Sequence, residues 1–310
     1  MHLRQQASAE HVKGLIKKNP MPRNQIATIS GLTNTYIRDL EQGNIANVER
    51  GKIIALALAL NLNLMQLENM LRLFDRAPLS ADDIPLFLAT AEKKKTTSVL
   101  LPVRNRFSFD LYIIGALKRP GPYSLVSYKP MVALYPPGLW CFEQKERLGQ
   151  HPLYPELTEA VGLEMGRQLK EHLHTSPIEQ YVSQFSIEAY LSKNNDPEQR
   201  EWNIQHVRRL IDHLERFPQM QFYLTHEDSS FLFTLKGSEA NKNNGEQLLI
   251  SKYAPPGPKR RNAALLAGFV TGNQVVIDNF KEELDILKSL VIEKYTDKEK
   301  LIRYLNQITG

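Results

Sequence analysis

Cysteine is almost missing from this chain: Cys141 is the only one in 310 residues. An intramolecular disulfide is therefore excluded, as is a cysteine-based zinc site of the usual kinds within one chain. Long apolar runs are missing too. The longest, Ile53 to Leu60, is far short of the roughly 20 residues that cross a bilayer. Residues 1–14 hold no apolar stretch of the kind a secretory signal needs. A reduced, cytoplasmic protein without a membrane partner is the expectation. Several chemical signatures are also absent. There is no Walker A loop, no Gly-x-Gly-x-x-Gly and no Gly-x-Ser-x-Gly elbow. No Ser-x-x-Lys has plausible catalytic partners.

What is present is ordinary globular material, 42% hydrophobic and 24% charged. A chain of 310 residues exceeds the size at which single cores stop growing, so two domains are expected. The net charge of +5 permits a nucleic-acid partner without demanding one. The positive charge is clustered. Lys13, Lys17, Lys18, Arg23, Arg38, Arg50, Lys52 and Arg72 crowd the first quarter. Lys93 to Lys95 with Arg104 and Arg106 form a second group, and Lys259 to Arg261 a third. Such clusters are more often solvated faces or loops than binding sites.

Apolar spacing in residues 1–73 follows the helical period: Val12, Leu15 and Ile16, then Ile26 and Ala27, Ile37 and Leu40, Ile53 to Leu60, and Leu64, Leu67, Met70 and Leu71. Residues 74–97 carry Pro78, Pro85 and the lysine run, and read as a linker with a short helix over Ile84 to Ala91. From Ser98 onward the texture suggests strands at 98–101, 107–117, 123–128, 131–135 and 139–142. Helices are expected at 155–174, 178–192 and 197–216. Strands follow at 221–224, 231–235, 247–253 and 269–277, and helices at 279–294 and 297–307. The predicted fold class is multidomain: an all-α five-helix N-terminal domain (1–73), the linker (74–97), and an α+β region (98–310) that could split near Gly149.

The segment Met21 to Gly43 has the grammar of two short helices crossing through a tight turn. Ala27 is small enough to let them approach. Gly31 suits a left-handed turn residue. Leu32 fills the space beneath the turn, and Thr33 can cap the second helix. Ile37 and Leu40 anchor that helix, leaving Asn34, Thr35 and Arg38 outward, with Tyr36 either outward beside them or packed on the domain surface. These side chains suit base edges: an amide, a hydroxyl with a methyl, a guanidinium and an aromatic ring. Gly43 ends the helix.

This pattern resembles the phage-repressor, Cro-like (XRE-type) helix-turn-helix family over about residues 10–72. The shared features are Ile26-Ala27, Gly31-Leu32-Thr33, Ile37, Leu40 to Gly43, the helix Ile53 to Leu60, and Asn63 to Leu67. The resemblance implies a transcriptional regulator, a repressor being favoured, that binds a near-palindromic operator in double-stranded DNA as a homodimer. It places Thr33, Asn34, Thr35 and Arg38 at base-contacting positions. Arg23, Asn44, Asn47, Arg50 and Lys52 fall where the DNA backbone passes. Arg23 stands where the family often has Gln, which favours a phosphate contact over a base contact. Pro22 replaces the usual Ser or Thr cap. Glu41 reads as a structural partner for a nearby arginine.

The remaining residues name no effector. The aromatic stretch Tyr123 to Phe142 reads as a buried sheet face, or as the lining of an apolar effector pocket. His206 and His213 share a helix face without a third ligand, so no metal, cofactor or catalytic set is expected. The C-terminal region is expected to dimerise and to sense an effector, a small molecule or a peptide. Two other readings stay open: an antitoxin or phage-immunity interaction protein, and a DNA-targeted enzyme.

Overall fold

A computed structural model describes residues 2–94, 98–143, 151–192, 195–238, 245–251 and 267–310. Its first part is helical: α1 (His2–Lys18), α2 (Arg23–Ser30), α3 (Asn34–Gln42), α4 (Arg50–Ala59) and α5 (Leu64–Leu73). The apolar run of the sequence is α4, and Ile53, Ile54, Leu56, Ala57, Leu58 and Ala59 are all buried. A helix apolar on every side belongs in the middle of a bundle, and α4 packs against both α2 and α5. The α5 start is fixed by a reciprocal cap. Asn63 Oδ1 accepts from Gln66 N–H at 2.8 Å, and Gln66 Oε1 accepts from Asn63 N–H at 3.0 Å.

The expected linker contains a packed helix, α6 (Ile84–Lys93). It buries Phe87, Thr90 and Ala91 against α2 and α4 on one side and α7 (Arg106–Lys118) on the other. The α6–α7 crossing depends on Gly115, where a Cβ would stand 2.5 Å from the Ala91 carbonyl oxygen. Lys94, read in the sequence as part of a basic run, is buried. Its Nζ donates to Leu58 O at 2.9 Å and to Asn61 Oδ1, and lies 4.8 Å over the Tyr112 ring. One continuous core runs from Val12 in α1 to Leu305 near the end of the chain.

The second part is a seven-stranded mixed sheet. Its strands are β1 (Leu101–Val103), β2 (Tyr123–Val126), β3 (Ile178–Ser183), β4 (Met220–Thr225), β5 (Leu232–Lys236), β6 (Gln247–Ser251) and β7 (Gly268–Thr271). The order is β1-β7-β6-β5-β2-β3-β4, with β2, β3 and β4 parallel and the other pairs antiparallel. Parallel neighbours need crossovers. These are α8 (Pro137–Glu143) with α9 (Tyr154–Leu173), and α10 (Gln184–Tyr190) with α11 (Pro197–Arg216). Side chains of α7, α9 and α11 share the large core with one sheet face, while α12 (Gln274–Ser289) closes the other face over Val126, Tyr181, Phe233 and Leu235. The last helix, α13 (Lys298–Thr309), lies on α11.

Several expected elements change type. Residues 107–117 form helix α7 rather than a strand. All of them are buried, so no amphipathic period marked the helix. The expected strands at 131–135 and 139–142 are a 3₁₀ turn, Val132–Leu134, and helix α8. The expected helix at 178–192 divides at Ser183, whose hydroxyl accepts from Ser186 N–H at 3.0 Å and caps α10. Strand β7 stops at Thr271, because Asn273 caps α12 through Val275 N–H at 3.0 Å. Gly149 lies outside the described residues. Strands from both sides of it share one sheet, so the sheet itself provides no split there.

Two outcomes follow from the α6–α7 junction. Gly115→Val is expected to lose about 1–3 kcal/mol of stability through overpacking, read from urea denaturation. Burial pushes the Lys94 ammonium from 10.5 down to about 7. Between those values the unfolded chain holds a proton that the folded chain has released, so this group makes stability rise with pH from about 7 to 10.5. Lys94→Met is expected to flatten that rise in a series of Tm against pH.

Candidate nucleic-acid interface

The turn between α2 and α3 is built by its own residues. Gly31 takes φ 70°, and Leu32 N–H returns to Ala27 O at 3.1 Å. Thr33 Oγ1 accepts from Tyr36 N–H at 3.1 Å and caps α3. Gly43, at φ 71°, ends α3, and Asn44 N–H closes on Asp39 O at 2.9 Å. Ile37 and Leu40 are buried and fix which side of α3 faces the core.

The opposite side carries Thr33, Asn34, Thr35 and Arg38, all exposed. The side chains of Asn34, Thr35 and Arg38 make no hydrogen bond or ion pair with any described residue. This face therefore offers a free guanidinium, an amide and hydroxyls on a helix whose orientation is set by packing.

The flanking polar residues divide into two kinds. Asn44 is exposed and donates only to Gln42 Oε1, at 3.0 Å. Lys52 bonds Glu49 at 2.8 Å and lies 5.0 Å over the half-buried Tyr36 ring. Arg23 pairs with Glu41 at 2.7 Å, the structural role expected of that glutamate. Asn47 is exposed, and its Oδ1 accepts from Arg76, which also donates to Val48 O at 2.8 Å.

Arg50 differs from its expected role along a DNA backbone. Its guanidinium forks onto the Asp83 carboxylate, with Nη2 to Oδ2 at 2.7 Å, and donates to Ala77 O at 3.1 Å and Pro78 O at 2.6 Å. Burial pushes the Asp83 carboxyl up, but Arg50 and the Ser80 N–H outweigh it and hold the group below its ordinary value. Arg50 is a brace between α4 and the chain leading into α6. Its partner was missed in the sequence, although Ser80 and Asp83 stand at capping-box spacing, and the structure forms that box.

The α4 N-terminus has no side-chain cap, so its first N–H groups remain available beside α3. Such a helix start attracts anions through its aligned peptide dipoles. Together, α3 and the start of α4 present base-compatible side chains next to a phosphate-compatible backbone.

The other sequence candidates lie elsewhere. Lys259 to Arg261 fall outside the described residues. His206 is buried, with Nε2 on Met131 O at 3.1 Å and Nδ1 on Tyr190 Oη at 2.9 Å, and burial pushes it down to about 3. It is a neutral core histidine. Tyr123, Tyr135 and Trp140 are buried in the core, with Tyr135 and Trp140 edge to face at 5.2 Å, whereas Val126, Ser127 and the half-buried Tyr128 line a crevice at the end of β2.

Thr33→Ala is expected to cost about 0.5–2 kcal/mol through the lost cap. Arg50→Ala is expected to lower Tm more than Lys52→Ala, because it strands Asp83; thermal unfolding of the two variants checks this. Neither a protein-family model, nor a curated protein, nor a solved structure matches this chain.

Proposed function

We propose that the chain is a sequence-specific DNA-binding regulator of the helix-turn-helix kind. It acts as a homodimer on a near-palindromic operator, with repression favoured. The observation that carries this reading is the outward face of α3. Its polar side chains are exposed while its apolar ones are buried, and Arg38 has no partner within the described chain. A free guanidinium on a rigid helix suits the two acceptors of guanine in the major groove, and asparagine suits adenine. The uncapped start of α4 and Lys52 supply contacts to the phosphates. Arg50 acts indirectly, by holding α4 in place.

Binding of the wild-type chain and its variants to the tightest duplex selected from a random pool tests the reading. Arg38→Ala is expected to lose about 1–3 kcal/mol of discrimination at one base pair. Lys52→Ala is expected to weaken all sequences alike and to reduce the salt slope by about 1. An Arg38→Ala variant with wild-type affinity and site preference would show that α3 does not read bases.

A further inference from the structure

We propose that the crevice at the carboxyl ends of β2, β3 and β4 binds a small organic molecule through a primary ammonium group. The topology creates the crevice. Three parallel strands run side by side; β3 and β4 finish together, with Ser183 in register with Thr225, and β2 ends two residues earlier, at Val126 opposite Tyr181. The space beyond the carboxyl ends of these strands is open. Here it is a cavity of about 240 Å³ between those strand ends, the loop after β4, and Leu287 of α12. That is below the usual range for drug-sized ligands, roughly 300–1,000 Å³, so the ligand is a small one.

The chemistry of the lining selects its charge. Ser127, Ser183, Ser186, Ser229 and Ser230 bring hydroxyls, and Asp228 brings a carboxylate. No lining residue is basic. Asp228 Oδ1 accepts from Ser183 Oγ and from Ser186 Oγ, the latter at 2.6 Å. Its Oδ2 takes no hydrogen bond and no ion pair from any described residue. The two serines thus aim the carboxylate without neutralising it. Ser183 is itself buried and fixed by its capping bond to Ser186 N–H, so the carboxylate is steered from a rigid base.

An ammonium carries three donors and one positive charge. It can satisfy Oδ2 and the remaining hydroxyl acceptors together. An anion would meet a carboxylate and no cation. Asp228 is exposed at the rim of the crevice, so a neutral polyol would gain no charge attraction from it, whereas an ammonium would. The apolar wall, Leu232, Leu287 and the Tyr181 ring, suits a short carbon chain behind the amine.

The test uses the full chain without DNA, so its outcome is independent of the reading of α3. Putrescine and ethanolamine are titrated by calorimetry and thermal shift, with butanediol and ethylene glycol as neutral counterparts of similar shape. Saturable binding and a raised Tm are expected for an amine and not for the diols. Asp228→Asn keeps an acceptor for both serines and is expected to fold as the wild type does, yet to bind the amine at least about tenfold more weakly. Ser230→Phe, which fills the crevice from its exposed rim without touching the carboxylate, is expected to give a similar loss. Diols that act as well as the amines, an Asp228→Asn variant that binds like wild type, or no response to either amine would each overturn the proposal.

Discussion

The helical part of this chain and α7 meet around a buried lysine, Lys94. Burying an ammonium is among the costliest things a fold can do unless acceptors surround it. At Lys94 the carbonyl end of α4 supplies acceptors in Leu58 O and Asn61, yet burial still pushes the group down to about 7, so above that pH it sits there as a neutral amine that keeps its hydrogen bonds. The site exists only while the helical part stays docked on α7, whose Tyr112 ring lies against the lysine. Gly115 permits the close crossing, Asn105 donates to Asn61 O at 2.8 Å, and His151 meets Glu68 at 3.3 Å. The face of α3 is therefore presented from a frame that shares its core with the sheet.

How much of this was legible depended on whether the information was local. Gly31 and Thr33 announce the α2–α3 turn and Gly43 the end of α3, because each position needs a backbone or capping property that few residues supply. Helix α11 is legible to its ends, since Asp196 and Pro197 open an amphipathic stretch. Helix α7 was not legible. A segment buried on all sides shows no period, and its aromatic and β-branched residues suit a strand equally well. The β3–α10 boundary was hidden because Ser183 reads as an ordinary helical polar residue unless its cap is known.

The candidate site follows the same rule. The exposed positions on α3 could be named from spacing, because burial of Ile37 and Leu40 dictates what faces outward. The engagement of Arg50 could not, since Asp83 lies 33 positions further along the chain. The crevice beyond β2, β3 and β4 was legible only on its β2 side, where Val126, Ser127 and Tyr128 belong to the aromatic stretch read as a possible pocket lining. Its residues come from strand ends far apart in sequence, and no linear motif joins Ser127, Ser183 and Asp228. The two surfaces also differ in sign. The α3 region carries Arg38, without a partner among the described residues, and the crevice carries the Asp228 carboxylate and no basic lining residue.

The most direct measurement is selection of bound sequences from a random pool of duplex DNA by the full-length chain at physiological salt. The account predicts enrichment of one inverted repeat, with half-sites about one helical turn, roughly 34 Å, apart. Binding that enriches no sequence and falls steeply with salt, or no binding at all, would contradict the claim that α3 reads base pairs.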